Sequence, residues 1–274
     1  MGILAGLFLV FCLGASLRSS TRFARNAVGV VEIKGGIYEP EKTLALIHEF
    51  SESDGIRGVI VRIDSPGGTV AASQELYQAI HELSLKKPVI ASMGSLAASG
   101  GYYAACGAHK IIANPGTITG SIGVRIEHIQ IGDLLEWAKI HYETLKSGQY
   151  KDMISLHQAL TPEERALVDQ LLAEVHDQFK KTVAECRKLD LAKVNTFADG
   201  RILSGTQALK LGLVDQLGGF ATAVKAMQAE LQMKEEPKLI YGPGESAWWV
   251  KLLSGEQHVG MKLESPSLQL LYQM

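Results

Sequence analysis

The sequence predicts an α/β protein with a parallel sheet and crossover helices. Short β-branched apolar runs (Val28 to Ile33, Val59 to Ile63, Val89 to Met93 and Lys110 to Ala113) alternate with stretches of helical periodicity. Composition agrees. Hydrophobic residues make up 46% of the 274 and charged residues 20%, enough to bury a sizeable core in one large domain or two small ones. The net charge of −2 speaks against a nucleic-acid binder that relies on neutralising phosphates.

Gly2 to Leu17 is almost wholly apolar. Its length falls between the roughly 7–15 residues of a signal-peptide core and the roughly 17–25 of a spanning helix. Residues 1–26 read as an N-terminal membrane anchor with a basic linker. Arg18, Arg22 and Arg25 follow the run, so the positive-inside rule taken alone would leave the next domain in the cytoplasm. A start codon set too late, cutting off a basic leader, is a second reading, and a soluble core helix is a third, weakened because nothing polar marks a second face. Residues 27–232 then form the main domain.

Its first strand, Val28 to Ile33, ends at Lys34-Gly35-Gly36, and a helix follows from Glu41 to Phe50 with Leu46, Ile47 and Phe50 on one face. The second strand ends at Asp64-Ser65-Pro66-Gly67-Gly68, and the next helix carries Leu76, Ile80 and Leu83. The third strand, Val89 to Met93, leads into a run of small residues around Ser99. The fourth stops at Asn114-Pro115-Gly116, and Ile122-Gly123-Val124 is expected to begin a fifth. Thr161, Pro162 and Glu164 spell a capping box ahead of a long helix striped by Val168, Leu171, Leu172, Val175 and Phe179. A second helix-rich stretch runs from Ser204 to Leu231. Residues 233–274, with Pro237, Pro243, Trp248, Trp249 and Pro266, read as an irregular extension that packs on a partner or lies near a membrane. The three cysteines, Cys12, Cys106 and Cys186, are scattered, so neither a zinc site nor a disulfide framework is indicated.

Reactive groups of a parallel α/β sheet gather at the carboxyl ends of its strands. Two such ends stand out. Asp64 to Gly68 offers flexible backbone N–H groups. Ala97-Ala98-Ser99-Gly100-Gly101 offers a hydroxyl with its own following N–H. Together they suit a nucleophile facing an oxyanion hole. The plainer readings are an ordinary strand-to-helix turn and a small-residue packing seam. A serine nucleophile needs a base. His48, His81 and His176 fall in helical patterns, His258 in the tail, and His109 opens a strand, whereas His128 and His141 stay open. No G-x-S-x-G elbow occurs, which weighs against an α/β-hydrolase triad. A desolvated lysine is the alternative base. Lys151 has Tyr150, Met153 and Ile154 nearby to exclude water, although a surface loop lysine is the simpler reading.

These motifs, with Thr119-Gly120-Ser121-Ile122-Gly123-Val124, Ala198-Asp199-Gly200-Arg201 and Leu211-Gly212-Leu213-Val214-Asp215, resemble the signal peptide peptidase SppA family, the serine–lysine peptidases of family S49, in its short single-unit form. The resemblance implies a ClpP/crotonase-like fold for residues 27–232, with an N-terminal membrane anchor and a C-terminal helical extension. It implies Ser99 as nucleophile, Lys151 as general base and Ser121 as the residue that orients the lysine. The N–H groups of Gly68 and Gly100 would form the oxyanion hole. Ser121 enters only through the resemblance. Clp protease looks similar around its Ala-Ala-Ser but uses a histidine, and no histidine follows Ser121 here until His128. The resemblance further implies a homo-oligomer in which Ser99 and Lys151 come from neighbouring subunits, with no cofactor or metal. Its substrates would be peptides, above all remnants of signal peptides. It also implies a place at the bacterial inner membrane with the catalytic domain on the extracytoplasmic side. Two rival readings are a crotonase-type acyl-CoA enzyme, for which Asp64 and Glu127 are nominal acids, and a non-catalytic membrane scaffold.

Overall fold

The computed structural model describes residues 26–242. The apolar run expected to anchor the chain, and the tail beyond residue 242, lie outside the described residues. No helix among the described residues is long and apolar enough to cross a membrane.

The elements run β1 (Ala27–Ile37), α1 (Glu41–Glu52), β2 (Ile56–Gly68), α2 (Val70–Lys86), β3 (Val89–Ala98), α3 (Gly100–Ala105), β4 (Lys110–Ala113) and β5 (Ile118–Gly120). Then come α4 (Gly132–Trp137), α5 (Pro162–Arg187), α6 (Leu191–Asn195), β6 (Ile202–Ser204), α7 (Gly205–Leu211), β7 (Gln216–Leu217), α8 (Phe220–Glu230) and β8 (Lys238–Tyr241). The sheet order is β6-β5-β3-β2-β1-β8, with β4 pairing β3 and β7 pairing β4. Every pairing is parallel except that of β5 with β6.

The inner strands carry apolar side chains toward both faces because both faces are covered. Val28, Ile60, Ile90 and Ile112 face Ala223, Val224 and Met227 of α8. Their neighbours Val31, Val59, Val61, Ala91 and Ile111 point the other way and join Phe50, Leu76, Ile80 and Phe179 of α1, α2 and α5.

Strand β3 bends midway. Ile90 to Ser92 pair with β4, whereas Leu96 to Ala98 pair with β5. Against β2 the register slips between Ile63↔Met93 and Ser65↔Ala97, so β3 carries extra residues there. Asp64 fills the bulge: its Oδ1 accepts a hydrogen bond from Leu96 N–H at 3.0 Å. A Cβ on Gly94 would come within 2.7 Å of Asp64 Oδ2. A bulge of this kind re-aims the residues that follow it, and here those residues lead to Ser99.

The capping box forms as expected: Glu164 N–H donates to Thr161 Oγ1 at 3.2 Å and Thr161 N–H to Glu164 Oε2 at 2.9 Å. Two expectations change. The fifth strand is Ile118–Gly120, not a run begun at Ile122. Gly120 (φ +76°) and Ser121 (φ +50°) both turn left-handed and stop the strand there, and Ile122 drops into the core. Within the stretch read as irregular, Lys238–Tyr241 pairs in parallel with Ala27–Val30 as an edge strand. Four residues are too few to show a period, and the pairing comes from the exposed edge of β1.

Candidate active site

Ser99 stands at the turn from β3 into α3 with φ +53° and ψ −122°. That region costs a non-glycine residue about 1–3 kcal/mol and persists only where the surroundings over-determine it. They do so here. Ser99 N–H donates to Gly120 O at 2.8 Å, and Tyr103 N–H donates to Ser99 O at 2.9 Å. Below the turn, Tyr102 is wholly buried and its hydroxyl donates to Leu213 O at 2.8 Å, which pins α3 in place. Ser99 is itself 1% exposed.

The glycines around it are there for space. A Cβ on Gly100 would sit 2.2 Å from Ser73 Oγ and 3.3 Å from Gly67 Cα. One on Gly101 would meet Ser65 O at 2.8 Å, and one on Gly68 would meet Ile37 O at 2.0 Å. The end of β2 and the start of α3 therefore touch backbone to backbone. Gly67, at φ +102°, needs the freedom glycine has, and its N–H is held by Ser65 Oγ at 3.0 Å. Of the other serines nearby, Ser92 is buried and accepts a hydrogen bond from Arg62 at 3.0 Å, whereas Ser95 is exposed.

Ser121 follows the residue whose carbonyl holds Ser99. Its N–H donates to Arg201 O at 2.8 Å. Arg201 is itself clasped by Asp199, whose carboxyl is brought down to about 2 by the hydrogen bonds and charge of that arginine. The structure thus gathers Ser99, Gly100, the Gly67–Gly68 turn and Ser121.

Lys151 is not part of that cluster within one chain: no hydrogen bond among the described residues joins it to Ser99 or Ser121. It lies exposed on a loop closed by the Lys146–Asp152 ion pair, which holds the Asp152 carboxyl below its ordinary range. Around it, residues 125–160 form an excursion with Leu134, Ile140 and Tyr142 exposed, and with Trp137 and Leu145 82% and 89% exposed.

The histidines left open are occupied elsewhere or exposed. His128 Nε2 bonds Ser155 O at 2.7 Å, and His141 is exposed. His109 lies between Val89 N–H and Glu230. No described histidine hydrogen-bonds Ser99. His176, set aside as a helix residue, reaches Ile122 O at 3.1 Å, next to Ser121. Nothing local in the sequence signals that contact. The nominal acids of an acyl-CoA enzyme are also engaged, Asp64 in the β3 bulge and Glu127 with Arg125 at 3.1 Å.

The model of peptidase family S49 matches residues 81–234. The chain belongs to peptidase family S49. A Synechocystis protein named as a candidate protease is 45% identical over 195 residues, covering 71% of this chain and 70% of that one. A candidate signal peptide peptidase SppA of Enterococcus faecium is 34% identical over 205 residues, 74% of this chain and 60% of that one. Among solved structures, a mutant of the 1510-N membrane-bound stomatin-specific protease superposes with a TM-score of 0.50 at 20% identity, covering 80% of this chain and 99% of that one. The S49 chain is a serine peptidase, and its α/β fold is shared with that stomatin-specific protease.

Proposed function

We propose that this S49 peptidase cleaves apolar peptides, remnants of signal peptides above all, with Ser99 as nucleophile and Lys151 of a neighbouring copy as general base. The observation that carries the proposal is the strained Ser99, buried where two glycine turns and Ser121 meet. In the reaction, neutral Lys151 Nζ takes the proton of Ser99 Oγ as Oγ bonds to the scissile carbonyl carbon. The N–H groups of Gly68 and Gly100 receive the oxyanion, and Ser121 orients the amine. The intermediate collapses, the lysine returns its proton to the leaving amine, and an acyl-serine remains. Water, deprotonated by the same lysine, then bonds to the acyl carbon, the ester bond to Oγ breaks to release the acid, and the lysine returns the proton to Ser99 Oγ.

Two features support a lysine supplied from outside the chain. Lys151 is exposed and unlinked to Ser99, and the segment bearing it displays large apolar side chains of the kind that mark an interaction surface. A contact between different faces of identical copies makes a ring when its rotation closes and an open filament when it does not. The apolar run at Gly2 to Leu17 supports a membrane anchor. The family resemblance supports the bacterial inner membrane with the catalytic domain outside the cytoplasm, which protease accessibility in spheroplasts would test.

Subunit mixing tests the catalytic proposal. Ser99→Ala and Lys151→Ala should each abolish peptide cleavage. Dissociated, mixed and reassembled, they should regain roughly a quarter of native activity, because random neighbours meet both requirements about one time in four. Mixed oligomers that stay inactive would show that both groups must come from one chain. Ser99→Ala that still forms an acyl-enzyme by mass spectrometry would remove Ser99 as nucleophile.

A further inference from the structure

We infer that His176 is a positioning residue for Ser121, acting through the carbonyl of Ile122. The inference rests on the Ser99–Lys151 chemistry proposed above, in which the Ser121 hydroxyl orients the lysine.

Ser121 is a non-glycine residue at φ +50°. Such a backbone is held only by its surroundings, and the bonds that hold it can be named. Its own N–H is bound by Arg201 O at 2.8 Å. The next carbonyl, Ile122 O, accepts two hydrogen bonds, from Gly200 N–H at 3.2 Å and from His176 Nε2 at 3.1 Å. A carbonyl only accepts, so the His176 proton sits on Nε2. The Ile122 side chain is buried, which removes a further freedom.

These bonds come from two directions. Arg201 and Gly200 belong to the turn that leads into β6. His176 belongs to α5, a 26-residue helix capped by the Thr161 box at one end and by left-handed Lys188 at the other. Beside His176 on that helix, Val175 and Phe179 are buried in the core, so the ring is carried by a rigid support. Without the imidazole, the residues after Ser121 are held from the β6 side alone. They can then relax toward an unstrained backbone, which swings the Ser121 hydroxyl. A misplacement of about 1 Å can cost on the order of a hundredfold in rate.

The test compares kcat and KM on a short peptide for His176→Ala, His176→Gln, His176→Asn, Ser121→Ala and the double variant His176→Ala/Ser121→Ala. Melting temperature and assembly state are followed in each. Gln carries its amide nitrogen close to the place of Nε2, whereas Asn is too short. We expect His176→Ala to lower kcat about 10- to 100-fold with KM changed by less than about twofold. His176→Gln should recover most of the loss and His176→Asn little, at similar melting temperatures. In the Ser121→Ala background, His176→Ala should cost less than about a further twofold, because the group it positions is gone.

An unchanged kcat in His176→Ala would overturn the inference. So would a His176→Gln as impaired as His176→Asn, or a loss that multiplies in full with that of Ser121→Ala. If His176→Ala does not fold, the Gln–Asn contrast decides. Ser99→Ala assayed alongside separates the two levels: activity surviving it sinks the Ser–Lys chemistry, whereas activity lost there but kept in His176→Ala sinks only the positioning role.

Discussion

Replacing Gly100 by alanine tests how closely the turn after Ser99 is built. Gly100 does not need a left-handed backbone; it needs room. The added methyl would lie 2.2 Å from Ser73 Oγ, 3.1 Å from Ser73 Cβ and 3.3 Å from Gly67 Cα. The first of these is a hard clash and the others are only tight. Ser73 is fully buried, and its hydroxyl is tied to Thr69 O at 2.9 Å, so moving it aside breaks a bond as well. Forcing one methyl into such a site costs about 1–3 kcal/mol. At about 2–4 °C per kcal/mol for a domain of this size, Gly100→Ala should melt roughly 2–12 °C lower. Because the clash is mainly with one oxygen, Ser73→Ala should relieve it. The pair should show a coupling of about 1–2 kcal/mol in a double-mutant cycle, read by thermal unfolding at fixed protein concentration. Cleavage should follow the same pattern. Gly100→Ala keeps the N–H but moves it, so kcat should fall, and Ser73→Ala should restore part of it. Equal losses in the Ser73 and Ser73→Ala backgrounds would refute the steric account, as would a Gly100→Ala protein that melts like its parent.

Two further predictions concern the support behind the site. Arg187, with 7% of its side chain exposed, binds Asp215 Oδ2 at 3.0 Å and Gly212 O at 2.9 Å, and Asp215 Oδ2 also takes Ile111 N–H at 2.7 Å. Arg187→Met should destabilise by up to about 3–5 kcal/mol, an upper bound since the Asp215 side chain is 33% exposed. Burial pulls the Asp215 carboxyl up, but hydrogen bonds from Arg187 and Ile111, and the Arg187 charge, outweigh it and hold the carboxyl below its ordinary 3.8. A depressed folded value means that this stability is complete above the unfolded value and is lost as pH falls through the lower, folded one. The melting-temperature deficit of Arg187→Met should therefore be full above the carboxylate range and narrow as pH falls through it. A deficit that does not change with pH would remove the pair as its cause. Thr161→Ala should cost about 1 kcal/mol by stripping the N-cap of α5, and chemical denaturation that finds no change would count against the capping box.

The parts that were legible in the sequence are those whose cause is local or lies in one face. The strand runs around Val28, Val59, Val89 and Lys110 are apolar because a doubly covered parallel strand has no wet side. The Thr161–Glu164 box is written in four adjacent residues. Ser99 and its glycines showed as small residues where bulk would collide. The fifth strand was expected too late, from Ile122, because the left-handed turn at Gly120 and Ser121 is held by Arg201, which is far along the chain. The strand at Lys238 was missed because it is recruited by an edge, not by its own pattern.

By itself, then, the sequence determined the α/β class, the Ser99 turn, the two glycine-rich strand ends and, through its motif order, the family. Only the tertiary structure decided which residues hold those parts in register. His176 and Ile122 meet across 54 residues of chain, and Tyr102 and Leu213 across 111. Such partners share no local pattern, because their meeting depends on how the whole sheet and the long helix close over one another. The same reasoning leaves Lys151 exposed within one chain: short-range chemistry shapes the loop that carries it, and the chain's own packing does not bond it to Ser99.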